Sequence, residues 1–146
     1  MLIAHVLRDK GAQVHTARAD VSLEEAARAL DQKRVGALVV LNESGAIVGV
    51  VSERDIVREV SRRGSDCLCD AVKTVMSKDV VTALLNETID EGLARMTDRR
   101  IRHLPVIEDG KLVGIVSIGD LVRSVITVQG EIIQHLQQYI NGPYPG

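Results

Sequence analysis

Two heptapeptides carry the residues best placed to do chemistry: Gly49-Val50-Val51-Ser52-Glu53-Arg54-Asp55 and Gly114-Ile115-Val116-Ser117-Ile118-Gly119-Asp120. Each sets a hydroxyl three residues ahead of a carboxylate, directly after an apolar run. At the start of a helix that spacing supports two kinds of chemistry. The Ser can cap the helix while the acidic residue accepts from the Ser backbone amide in return, a device worth about 0.5–2 kcal/mol. Alternatively, the short carboxylate accepts from both hydroxyls of a ribose, while the helix N-terminus and the Ser hydroxyl attract phosphate oxygens. Capping explains the Ser well and the Asp less well, because the two other caps of this pattern, Ser22 to Glu25 and Thr88 to Glu91, use the longer Glu.

The surroundings of the heptapeptides repeat as well. Val14-His15-Thr16 matches Val80-Val81-Thr82, Ser22-Leu23-Glu24-Glu25 matches Thr88-Ile89-Asp90-Glu91, and Arg34-Val35 with Leu38 and Val40 matches Arg100-Ile101 with Leu104 and Val106. The register changes by one residue between Asn42-Glu43-Ser44-Gly45 and Glu108-Asp109-Gly110, in a turn, where a duplicated fold tolerates it. Two copies of one supersecondary unit are present.

The elements that must position the heptapeptides follow from periodicity. A short strand around Val14 to Thr16, or Val80 to Thr82, precedes a capped helix with Ala26 and Leu30, or Leu93 and Met96, at helical spacing. Apolar runs Gly36 to Leu41 with Ala46 to Val51, and Arg102 to Ile107 with Lys111 to Val116, are joined by turn residues and read as hairpins. The near-continuous apolar character of Ala37 to Leu41 and Ile47 to Val51 predicts a small sheet covered on both faces. The second strand then runs into an amphipathic helix, Asp55 to Val60 or Asp120 to Val128, and Gly130 is expected to break the helical segments that follow. The fold class is α+β: a tandem repeat of strand-helix-strand-strand-helix units. Residues 1–66 are expected to hold an N-terminal helix and the first repeat, 67–128 the second repeat, and 129–146 a C-terminal helix and tail.

Composition narrows the function. At 146 residues and 45% hydrophobic, the chain is long enough for one compact core, here made of two fused halves. A net charge of −2 gives no general attraction to nucleic acid or anionic lipid. With no Trp or Phe, and Tyr only at 139 and 144, it lacks an aromatic platform for single-stranded nucleic acid. No run approaches the roughly 18 apolar residues of a membrane span, and the start lacks signal-peptide flanks, so a cytoplasmic protein without nucleic-acid or membrane partners is expected. Cys67-Leu68-Cys69 cannot complete a tetrahedral metal site within one chain and reads as two reduced thiols. His5, His15, His103 and His135 have neither metal-ligand spacing nor an adjacent nucleophile, and Walker A and G-x-G-x-x-G sequences are missing. An enzyme is not expected, and no metal.

The repeated unit resembles the CBS (cystathionine β-synthase) domain, and the chain resembles a stand-alone CBS pair from Lys10 to about Ile126. The resemblance rests on Lys10-Gly11, Gly36-Ala37-Leu38-Val39-Val40, the first heptapeptide, Arg100-Ile101-Arg102-His103-Leu104-Pro105-Val106 and the second heptapeptide, in that order. It implies two halves packed about a pseudo-twofold axis, with two clefts for adenine nucleotides in which the Ser and Asp of each motif contact phosphate or ribose. The candidate ligand-binding residues are Lys10, Thr16, Gly36, Ala37, Ser52, Arg54 and Asp55, with Thr82, Arg102, His103, Pro105, Ser117, Gly119 and Asp120. The two sites are not equivalent: Gly36-Ala37 offers bare backbone where Arg102-His103 offers cationic donors. Adjacent strand residues face opposite ways, so at most one of Arg102 and His103 aims into a given cleft. Arg99 and Arg100 read as solvated cations at a helix C-terminus, whereas Arg102, beyond the helix, suits phosphate.

The expected function is a non-enzymatic sensor that binds an adenine nucleotide and reports it to a downstream effector protein. Resemblance to relatives with SERDIVR and RIRHLPV implies AMP and NAD(H) as ligands. The rival is a purely structural dimerisation module with vestigial clefts. A homodimer is expected from the apolar side chains Leu121, Val122, Val125, Ile126, Ile132, Ile133, Leu136 and Ile140, more than one small pair needs for its own sheets.

Overall fold

The computed structural model describes residues 1–141, with side chains through Tyr139; Ile140 as a side chain and Tyr144 lie outside that range. The elements run α1 (Ile3–Lys10), β1 (Thr16–Arg18), α2 (Leu23–Lys33), β2 (Ala37–Leu41), β3 (Ile47–Ser52), α3 (Glu53–Arg63), two 3₁₀ turns (Ser65–Cys69 and Val72–Thr74), β4 (Ala83–Leu84), α4 (Ile89–Arg99), β5 (His103–Glu108), β6 (Lys111–Ser117) and α5 (Ile118–Asn141). The mixed α+β class and the repeated strand-helix-strand-strand-helix order are as the sequence indicates. They form two compact units that do not follow chain order. Gln13–Thr82 is one, and Met1–Ala12 joins the chain from Ala83 onward in the other. The helix at the start of the chain thus packs with the second repeat, and the stretch after Cys67 packs with the first.

In the Gln13–Thr82 unit, β2 lies between β1, which is parallel to it, and β3, which is antiparallel. Leu38, Val40 and Val51 from the sheet meet Leu23, Ala26, Leu30 and Ile56 from the two helices, and Cys67 and Val72 from the 3₁₀ turns close the core. Cys67 is therefore a packing residue, while Cys69 is exposed. Ala37 and Val39, on the opposite face of β2, are buried too, in keeping with the unbroken apolar run. β1 begins at Thr16, where pairing with Val39 starts, two residues later than the apolar pattern suggests. Its hydrogen-bonded register, rather than local apolarity, sets its boundary.

The other unit repeats this plan with β4, β5 and β6. Both hairpins slip register at the same place, between Val40 and Leu41 and between Val106 and Ile107. The shorter turn is made by Asp109 and Gly110, both at positive φ, which is the twist a two-residue hairpin turn requires. Ser22 and Thr88 cap α2 and α4, each accepting from an amide three residues on at 3.1 Å. Arg34 and Arg100 end these helices in the left-handed conformation, with φ of 54° and 55°.

A foreign segment runs against the last strand of each unit. Ser77 pairs with Val50 of β3 through two backbone bonds of 3.0 and 2.9 Å, and the Met76 side chain stands against Gly49. In the other unit α1 takes that place, with Ile3, Val6 and Leu7 buried. Gly49 and Gly114 make these approaches possible: a Cβ on Gly49 would stand 2.9 Å from the Ser77 carbonyl, and one on Gly114 would stand 2.7 Å from Leu7 Cδ1.

α5 corrects one expectation. It is a single 24-residue helix that passes through Gly130 without a break. One Gly costs a helix interior only about 1 kcal/mol, which the flanking residues of good helix propensity outweigh. Gly130→Ala should raise stability by up to about 1 kcal/mol, since nothing lies within 4 Å of the added Cβ. Gly114→Ala should lower it by about 1–3 kcal/mol, because Leu7 must move. Thermal denaturation checks the pair; a loss of stability in Gly130→Ala would contradict the continuous helix.

Candidate ligand sites

Ser52 is at once the last residue of β3 and the N-cap of α3, so strand passes into helix with no loop. Its amide donates to Asp55 Oδ2 at 2.8 Å, its hydroxyl donates to the same oxygen at 3.0 Å, and Oγ accepts from the Asp55 amide at 3.3 Å. The carboxylate thus closes a full capping box, the bonding that Asp was expected to serve less well than Glu. Asp55 keeps its other oxygen outward, 3.8 Å from Arg58 Nη1. The first amide of the helix, Glu53 N–H, donates to the Gly36 carbonyl at 3.0 Å, which ties the start of β2 to the motif. Ala37 pairs in register with Ser52, and Thr16 is exposed at the start of β1 beside Val39.

The second motif has the same skeleton. Ser117 N–H donates to Asp120 Oδ2 at 2.8 Å, the Asp120 amide donates to Ser117 Oγ at 3.1 Å, and Ile118 N–H donates to the Arg102 carbonyl at 2.8 Å. Arg102 thus occupies the place of Gly36, its backbone fixed against the helix start and its side chain exposed. His103 stands opposite Ser117, half-buried, and Pro105 is buried opposite Ile115. Arg123 lies 3.9 Å from Asp120 Oδ1.

One contact has no likeness in the first motif. Lys10 Nζ, at the end of α1, donates to Asp120 Oδ2 at 2.7 Å and to the Ile115 carbonyl at 2.8 Å. Burial alone would raise the Asp120 carboxyl, but the bonds from Lys10 and Ser117 outweigh it and hold the group below the usual carboxylate range. The Asp120 side chain is 12% exposed and Lys10 33%, so the pair is screened less than an ordinary surface ion pair.

The structure therefore gathers Gly36, Ala37, Ser52 and Asp55 at one helix start, and Lys10, Arg102, His103, Ser117 and Asp120 at the other. Arg54 and Gly119 are exposed on the first turns of α3 and α5, and Thr82 is half-buried just ahead of β4. Arg58 and Arg123 were missed in the sequence, although Asp-x-x-Arg recurs in both repeats at the spacing that brings side chains together on a helix. A separate cavity of about 450 Å³ between α2 and α3 is lined by Leu30, Arg34, Gly36, Glu53, Ile56 and Val57, among others, and does not include Asp55.

No helix among the described residues is long and apolar enough to cross a membrane. The CBS domain model matches residues 7–62 and again 72–127. The mitochondrial CBS domain-containing protein CBSX3 of Arabidopsis thaliana is 34% identical over 97% of this chain and 73% of its own length. The crystal structure of the CBS-domain containing protein ATU1752 from Agrobacterium tumefaciens superposes with a TM-score of 0.81 at 41% identity, over 84% of this chain and 91% of that one. The CBS domain pair of protein MJ0100, solved in complex with 5′-methylthioadenosine and S-adenosyl-L-methionine, superposes with a TM-score of 0.76 at 26% identity, over 86% of this chain and 95% of that one. The two matched ranges each enclose one of the duplicated strand-to-helix junctions closed by a Ser and an Asp three residues apart: the chain belongs to the CBS domain family and carries the domain twice.

Proposed function

We propose that the protein is a non-catalytic regulatory module that binds adenine nucleotides, AMP or NAD(H), at sites built on its two Ser-Asp motifs, and passes the bound state to an effector protein. The observation that carries this reading is the MJ0100 pair, whose two ligands both contain adenosine, joined to a chain of the same fold. Both Asp side chains keep an oxygen turned toward a loosely placed Arg at 3.8 and 3.9 Å, a geometry open to ribose hydroxyls. Methylthioadenosine and S-adenosylmethionine carry no phosphate. The preference for phosphorylated ligands rests instead on the cations of the second site, Arg102 and Lys10. A structural module with unused sites is the second reading, favoured by the fact that both motifs are already satisfied as helix caps.

Asp55→Ala and Asp120→Ala should each weaken nucleotide binding at their own site by about 1–3 kcal/mol, and Asp→Glu should weaken it as well. As a cap Glu serves as well as Asp, so unchanged affinity in both Glu variants would remove the ribose role and favour the structural reading. Thermal shift with AMP, NADH and adenosine gives the readout, since a ligand at 100 times its Kd adds about 2.7 kcal/mol. Calorimetry of Arg102→Ala should show a loss for AMP and NADH and little change for adenosine; an equal loss for all three would make Arg102 a structural residue.

Self-association belongs to the same proposal. α5 leaves Val122, Ile126, Ile132, Ile133, Leu136 and Tyr139 exposed, a run of apolar side chains at helical spacing that pairing with a second copy would cover. Light scattering should give twice the chain mass, and Ile126→Glu with Leu136→Glu should reduce it to the monomer. A monomeric wild-type protein at micromolar concentration would count against the homodimer.

A further inference from the structure

The repeats differ in what serves the outer edge of their last strand. In the first, the Val50 carbonyl is met by the backbone amide of Ser77 at 2.9 Å, and Asp55 Oδ2 is held by the amide and hydroxyl of Ser52. In the second, the equivalent carbonyl of Ile115 is met by Lys10 Nζ, and the same ammonium sits on Asp120 Oδ2. A main-chain donor has been replaced by a charged side chain that also reaches the carboxylate of the motif, five residues further along the chain. Lys10 is held there by a buried face: Ile3, Val6 and Leu7 anchor α1, and Leu7 packs on Gly114, the residue before Ile115.

We propose that Lys10 is, beside Arg102, a specificity-determining residue of the second-repeat site, an internal counter-ion that favours adenine ligands carrying an anionic group over neutral nucleosides. This rests on the reading of the Ser-Asp motifs as nucleotide sites. Asp120 Oδ1 stands free of Lys10, but a ribose that engages both oxygens of Asp120 with its two hydroxyls must share Oδ2 with Lys10 or displace it. A neutral nucleoside gives Asp120 a hydroxyl but offers the ammonium nothing in exchange, and parting a half-buried ion pair with one charge left uncompensated is costly. A phosphate gives Lys10 a new acceptor, so one charge-assisted bond is traded for another. The first-repeat site makes no such demand, because its carboxylate oxygen is held by groups of Ser52 that remain in place. The two sites of one chain therefore sort ligands by charge.

The test uses the full-length chain with AMP and adenosine as probes, in an Asp55→Asn background so that binding reports on the second repeat. Calorimetry should give at least about tenfold preference for AMP over adenosine with Lys10 present. Lys10→Met should reduce that preference several-fold, by weakening AMP and leaving adenosine equal or tighter, and Lys10→Arg should restore part of it. Lys10→Gln serves in place of Lys10→Met if thermal melts show that variant to be unfolded. An AMP-to-adenosine ratio unchanged by loss of the Lys10 charge overturns the counter-ion role while leaving the nucleotide sites standing. Binding of neither probe, nor of NADH, to the wild-type protein overturns the underlying reading and the inference with it.

Discussion

The structure depends on a junction with no slack. At Ser52 and at Ser117 a partly buried strand becomes a helix within one residue, and the first helical amide is received by the carbonyl ahead of the neighbouring strand, at Gly36 and at Arg102. A helix start leaves its first amides without intrahelical partners, and beside a packed sheet they must be satisfied by the protein itself. Ser and Asp do this together, and Asp is short enough to reach back while keeping its second oxygen outward. The feature that stabilises the turn is thus the one proposed to present an acceptor to a ligand. The bonds the structure shows are those of the cap, and the proposed site would use the same arrangement.

Around that junction the halves are built alike, and their differences come from what is laid against them. A glycine at the same point of each last strand lets another segment approach closer than a side chain would permit. Against Gly49 the segment is Met76 and Ser77, the second of which completes the strand edge with main-chain bonds. Against Gly114 it is the amphipathic helix α1, whose packing leaves the edge to a lysine. Charge therefore enters the second site by a route that has nothing to do with the duplicated motif, and adds to the cation at Arg102 where the first repeat has Gly36.

Much of this was legible in the residues. Apolar runs bounded by turn residues marked the hairpins, and hydroxyl-to-acid spacing marked the starts of α2 to α5, though not of α1, because strands, turns and caps are settled by groups a few residues apart. The boundaries of β1 and β4 were less so, since a two- or three-residue edge strand is defined by the partner it pairs with. Gly130 misled for the opposite reason: a local preference of about 1 kcal/mol was outweighed along a helix of 24 residues.

The sequence by itself determined the duplication, the order of elements, the Ser-Asp junctions and the contrast between Gly36 and Arg102, all of which rest on local spacing or on comparison of one repeat with the other. Only the tertiary structure decided that α1 belongs with the second repeat, that the stretch after Cys67 belongs with the first, and that Lys10 lies on a carboxylate 110 residues away. Nothing in the repeat marks that pairing, because Lys10 stands outside the motif and reaches Asp120 through the burial of Ile3, Val6 and Leu7. Apolar faces announce through their periodicity that they will be buried, but not against which sheet. That choice is made by shape and space, here by a glycine that leaves room for Leu7.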